Sequence, residues 1–101
     1  MAETAEQLMR SRYAGYVLRN ETYLRRTWVP KHCPASIFND ESPQWIGLKI
    51  LHTQDGQSGD TTGKVEFSAR YKINGRAFRL HETSEFVFED DCWLYSKGAS
   101  D

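Results

Sequence analysis

Cysteine, proline and long apolar runs are all scarce in this chain of 101 residues. Its two cysteines, Cys33 and Cys92, are too few for a disulfide framework, and a reducing cytoplasm is the expected location. His32, Cys33, His52, His81 and Cys92 fall in no CxxC or HExxH spacing, so neither a metal nor a cofactor is expected. Charge of one sign is missing too. Thirteen basic residues against fourteen acidic ones leave a net charge of -1, which gives no footprint for nucleic acid or for an anionic membrane. The longest apolar runs are only a few residues, and the polar, acidic start lacks the pattern of a secretion signal, so no membrane partner is expected. The polar stretch 53–62 has no phosphate-loop spacing, and no GxSxG elbow marks a serine nucleophile. The length suits one small domain over residues 1–101.

Alternation is what the chain does have, most clearly over residues 63–88. Two alternating segments flank Asn74-Gly75, a pair suited to a tight hairpin because both turn residues tolerate positive φ. A two-residue turn sets Ile73 opposite Arg76 and fixes every pair behind it. Val65, Phe67, Ala69, Tyr71 and Ile73 then share the core face with Ser84, Glu82, Leu80, Phe78 and Arg76. On the other face, Arg70 meets Arg79 and Ser68 meets His81. A carboxylate, Glu82, therefore stands among apolar neighbours.

Upstream, residues 4 to about 18 have a helical period. Thr4 is the expected N-cap with Gln7 reaching back, and Ala5, Leu8, Met9, Tyr13 and Tyr16 form the apolar stripe. Arg12 lies inside that stripe, either snorkelling to water or paired in the interior. Asn20 caps a second helix over about 21–28, ended by Val29-Pro30. Residues 31–43 read as a connection with one helical turn near 35–38. Residues 44–52 form a strand with Ile46, Leu48 and Ile50 on one face and Trp45 and Leu51 on the other. A last strand begins at Cys92, with Trp93 and Tyr95 on one face and a frayed tail over 97–101. Helices followed by about four antiparallel strands give an α+β domain, with the helices packed on one face of a curved sheet. That order suits a nuclear transport factor 2-like (cystatin-like) cone.

Several motifs carry a resemblance. Leu8-Met9-Arg10-Ser11-Arg12-Tyr13, Thr27-Trp28, Trp45-Ile46-Gly47-Leu48 and His81-Glu82-Thr83-Ser84-Glu85-Phe86 follow one another in order. The series resembles the central domain of the YchJ-type bacterial proteins, over residues 4 to about 98. The resemblance implies a nuclear transport factor 2-like fold and a family of uncharacterised function. Members of that family usually carry zinc-binding SEC-C segments. Cys33 and Cys92 do not match those ligands, so zinc binding is not carried over.

Two constellations stand out. Arg12 and Glu82 both belong to the interface between helix and sheet. They are either a structural ion pair or the polar floor of a pocket walled by Tyr13, Trp28, Trp45, Tyr71, Ser84 and Trp93. The expected role is a small-ligand or protein-binding module with no assigned catalytic residue. The rival is an isomerase- or dehydratase-like enzyme using Glu82, an analogy resting on fold alone. Arg70, Arg79 and His81 mark the outer face as a solvated surface or a site for an anion, a protein or RNA. A homodimer through that exposed face is compatible with the architecture.

Overall fold

A computed structural model describes residues 1–39 and 42–100, with the backbone alone at Ser100. The helices are α1 (Ala5–Val17) and α2 (Glu21–Arg26), and a 3₁₀ turn follows at Pro30–His32. Strands β1 (Gln44–Asp55), β2 (Thr62–Ile73), β3 (Arg76–Glu89) and β4 (Cys92–Ser100) complete the chain. They form one antiparallel meander in the order β1-β2-β3-β4. Among the described residues no helix is long and apolar enough to cross a membrane.

The caps act as expected, with one change. Gln7 N donates to Thr4 Oγ1 (3.1 Å), but the Gln7 side chain accepts from Glu3 N (2.8 Å) rather than from the cap residue itself. Tyr23 N donates to Asn20 Oδ1 (3.1 Å) at the start of α2. That helix stops at Arg26 because the next segment joins the sheet instead. Tyr95 N donates to Thr27 O and Val29 N donates to Tyr95 O, each at 2.8 Å. Residues 27–29 thereby cover part of the β4 edge, where open backbone would otherwise invite another strand. The helical turn expected at 35–38 is absent, and the turn lies earlier, where Pro30 supplies a preset φ.

The central hairpin has the expected register throughout, from Ile73↔Arg76 to Val65↔Ser84. Asn74 (φ 52°) and Gly75 (φ 80°) make its turn, and Asp90 (φ 52°) and Asp91 (φ 64°) repeat that left-handed pair between β3 and β4. The face assignment in β1 is corrected. Trp45 pairs with Tyr71, Leu48 with Ala69 and Ile50 with Phe67, all on the inner face. Register shifts at Trp45/Gly47 and Ile50/His52 leave Ile46 and Leu51 largely exposed. Each bulge adds a residue and resets the alternation while it bends the strand. The expected frayed tail is also corrected, since residues 97–100 pair with 82–85 of β3; Asp101 lies outside the described residues.

The core is a layer between α1 and the inner sheet face. Ala5 and Leu8 from α1 meet Val65, Phe86 and Trp93, with Met9, Ile50 and Tyr95 around them. One end is fastened by close backbone approach. Ala5 N donates to Gly56 O (2.9 Å), and a Cβ on Gly63 would come within 2.9 Å of Gly56 N and 3.1 Å of Ala5 Cβ. At the other end the two layers part, and the space between them is the site described next.

Candidate functional site

Arg12 projects from the middle of α1 and is only 3% exposed, so it does not snorkel. Its Nη1 donates to Leu24 O and to Thr27 Oγ1, both at 2.7 Å. The guanidinium carbon lies 4.8 Å from the Trp28 ring centre and 4.7 Å from that of Tyr95. Cations favour the negative faces of such rings, and the more so away from water. Desolvation pulls the Arg12 pKa down, and the Tyr16 and Tyr95 hydroxyls counter it. The group stays charged, because arginine does not lose its proton in a protein. The expected direct pairing with Glu82 is therefore corrected. Arg12 bonds neutral acceptors at the end of α2 and the Tyr16 hydroxyl, and it meets the sheet through the ring of Tyr95 rather than through a carboxylate.

Glu82 nevertheless faces the same space. It stands opposite Phe67 in the hairpin. Its carboxylate lies over Gly98 of β4 beside the Tyr95 hydroxyl, where a Cβ on Gly98 would collide with it. Burial, followed by the Glu82 and Tyr16 charges, pushes the Tyr95 phenol up to about 12, with Arg12 opposing. Tyr16 is raised as well, by burial first. Both phenols are thus neutral donors at any physiological pH.

Between these groups lies a partly open cavity of about 260 Å³. Met9, Arg12, Tyr13 and Tyr16 form its helix side; Phe67, Ala69, Leu80, Glu82 and Ser84 form its sheet side; Trp45 and Tyr95 close the ends. Trp45 is fixed by ring contacts to Tyr13 (6.5 Å), Tyr16 (6.2 Å) and Tyr71 (5.1 Å). Five of the eight expected pocket residues, Arg12, Tyr13, Trp45, Glu82 and Ser84, line this one space. Trp28 and Tyr71 stand behind the wall, against Arg12 and against Trp45.

Residues 4–98 match the family described as "YchJ, middle NTF2-like domain". The chain belongs to that family. Among YchJ-type relatives, a UPF0225 protein from Cupriavidus pinatubonensis is 47% identical, covering 93% of this chain and 68% of its own length. Another from Ralstonia nicotianae is 49% identical over 94% of this chain and 73% of its own. A solution structure of a SEC-C motif containing protein from Rhodopseudomonas palustris superposes with a TM-score of 0.81 at 30% identity, covering 98% of this chain and 80% of that one. The YchJ-type domain thus has the nuclear transport factor 2-like α+β fold that its sequence implied.

The other expected residues of this YchJ-type domain lie elsewhere. Trp93 is 2% exposed in the core, donates from Nε1 to Glu3 O (3.2 Å) and borders a separate groove beside α2. Arg70, Arg79 and His81 are on the outer face, with Arg70 directly opposite Arg79 and His81 Nε2 2.6 Å from Glu66 Oε2. Met9, Tyr16, Phe67, Ala69, Leu80 and Tyr95 line the cavity without being among the expected pocket residues, and Tyr95 is the one of them that meets both Arg12 and Glu82. The available signal was its two-residue spacing from Trp93, which puts both on the inner face.

Proposed function

We propose that residues 1–101 form one binding domain whose cavity holds a small, mostly apolar molecule bearing a carboxylate or similar anionic group. The observation that carries this reading is the environment of Arg12, a buried permanent cation whose contacts are all neutral. Nη1 serves α2 and the Tyr16 hydroxyl also bonds the guanidinium, so a guest in the cavity that Arg12 lines takes the N–H hydrogens left over or displaces Tyr16. A charged pair of hydrogen bonds from arginine to a carboxylate is among the stronger polar contacts available. The aromatic walls supply apolar area. The volume, about 260 Å³, lies near the lower end of ligand pockets and limits the guest to a small one.

Glu82 and the Tyr95 hydroxyl give the same space an acceptor and a donor, which orient a guest. No second group fixes a reaction, and no catalytic role is assigned to either.

Benzoate and its neutral analogue benzyl alcohol are suitable probes, read by amide and indole NMR shifts. Benzoate is expected to shift the Trp45 indole and the Ala69 and Leu80 amides saturably, at least tenfold more tightly than benzyl alcohol. Leu80→Trp, which fills the cavity from the sheet side, should abolish both effects without disturbing the bonds of Arg12. Equal affinity for the two probes, or no saturable shift at millimolar concentration, would rule the reading out.

A further inference from the structure

The face of the sheet turned away from the helices carries a second, independent arrangement. The register sets two rows across its middle, Gly47–Arg70–Arg79 and Lys49–Ser68–His81. Rows two residues apart on one face are separated by about 7 Å, and residues within a row by about 5 Å. Gly47 and Ser68, the two smallest members, sit on the diagonal, and the long cationic side chains rise around them. The result is a groove of about 510 Å³ lined by these six residues with Leu48 and Leu51. Gly47 leaves it open, since a Cβ built there would meet nothing within 4 Å.

The charge in this groove is one-sided. Among the described residues, no carboxylate lies within ion-pairing distance of Lys49, Arg70 or Arg79, and the nearby Glu66 is engaged with His81. Like charges directly opposite on adjacent strands are destabilising, yet Arg70 faces Arg79 in a chain whose net charge is only -1. A second copy of this chain is a poor occupant, because a two-fold contact would bring the same cations together. A lone carboxylate would offset one of three positive charges.

We propose that this groove binds a diphosphate group, free or as part of a small molecule, with Arg70 and Arg79 forking onto its oxygens and Lys49 adding a third positive charge. Guanidinium groups suit phosphate oxygens geometrically. The Ser68 hydroxyl is a further donor on the floor, and Leu51, 44% exposed, offers apolar surface for whatever the diphosphate carries. This site lies on the opposite side of the sheet from the cavity and does not depend on its function.

The test uses the full chain with inorganic pyrophosphate, inorganic phosphate and sulfate, at matched ionic strength. Pyrophosphate should give saturable NMR shifts confined to the amides of Gly47, Lys49, Ser68, Arg70, Arg79 and His81. It should bind at least tenfold more tightly than phosphate or sulfate. Arg79→Gln and Gly47→Asp should each weaken it about tenfold or more. Without ligand, Arg79→Gln should hold or raise the melting temperature, because it relieves the repulsion; with pyrophosphate, wild type should gain the larger upward shift. Equal binding of phosphate and pyrophosphate would overturn the diphosphate assignment. Scattered linear shifts, or an Arg79→Gln variant that binds like wild type, would overturn the site. So would self-association that buries this face.

Discussion

One nitrogen of Arg12 ties α1 to α2, and losing it should cost more than a surface charge would. Replacing Arg12 by Met leaves Leu24 O with only the longer bond from Thr27 Oγ1 (3.3 Å), removes the acceptor role of Thr27 and takes the cation from between two rings. An expected loss of about 3 kcal/mol follows from the two charge-assisted hydrogen bonds and the desolvated cation–π contacts, measured as a shift of the urea midpoint. Arg12→Lys should recover only part, because an ammonium lacks the planar fork. The helical stripe made the burial of Arg12 legible. Its partner was not, because spacing within α1 cannot tell a carboxylate across the sheet from a carbonyl on the next helix. Tyr95 gives a second test at this scale. Its folded pKa is raised from 10.0 to about 12, so its stabilising contribution is complete below pH 10. As pH rises from 10 toward 12, the unfolded chain ionises first and stability falls. Unfolding midpoints at pH 9 and pH 11 should differ less in Tyr95→Phe than in wild type. Tyr13 and Tyr16, raised in the same direction, keep the rest of the dependence.

Strands and helices differ in how far their sequences announce them. The β2–β3 hairpin was readable pair by pair, since the Asn74-Gly75 turn admits one register and the apolar alternation agrees with it. In β1 the alternation misled, because bulges at Trp45/Gly47 and Ile50/His52 turn a period of two into a broken pattern. Nothing in a single residue type marks a bulge; Gly47 was the one local hint. The same bulges put Trp45 inside, and the cavity owes one end wall to that irregularity. The junction of α1 with the β1–β2 connection was not legible either, because close backbone approach leaves no sequence signal beyond small residues. Gly63→Ala tests it. The new methyl group would press on Gly56 backbone and Ala5 Cβ, neither of which is a flexible side-chain end. An overpacking cost of about 1–3 kcal/mol is expected, against little change for Gly47→Ala, where space is open. Thermal melts of the two variants make the comparison.

Across the molecule, the sheet divides two surfaces of opposite character. The inner face meets the helices around Arg12, Glu82 and the aromatic walls, and the outer face shows a basic middle to solvent. Neutral overall composition concealed that division, because a count of charges has no sides; the hairpin register revealed it. The strands pair only with their neighbours in sequence, so each hairpin can close by itself. The helices have no such independence. Thr27 and Val29 bond to Tyr95, and Glu3 receives the Trp93 indole from 90 positions away. During translation the helices therefore leave the ribosome long before the strand that completes them. Tyr16, joined later by Trp45 and Phe67, borders an unfinished space until that strand arrives, as apolar surface of the kind that makes incomplete chains prone to aggregate. The fourth strand of the sheet is the one that shuts the cavity.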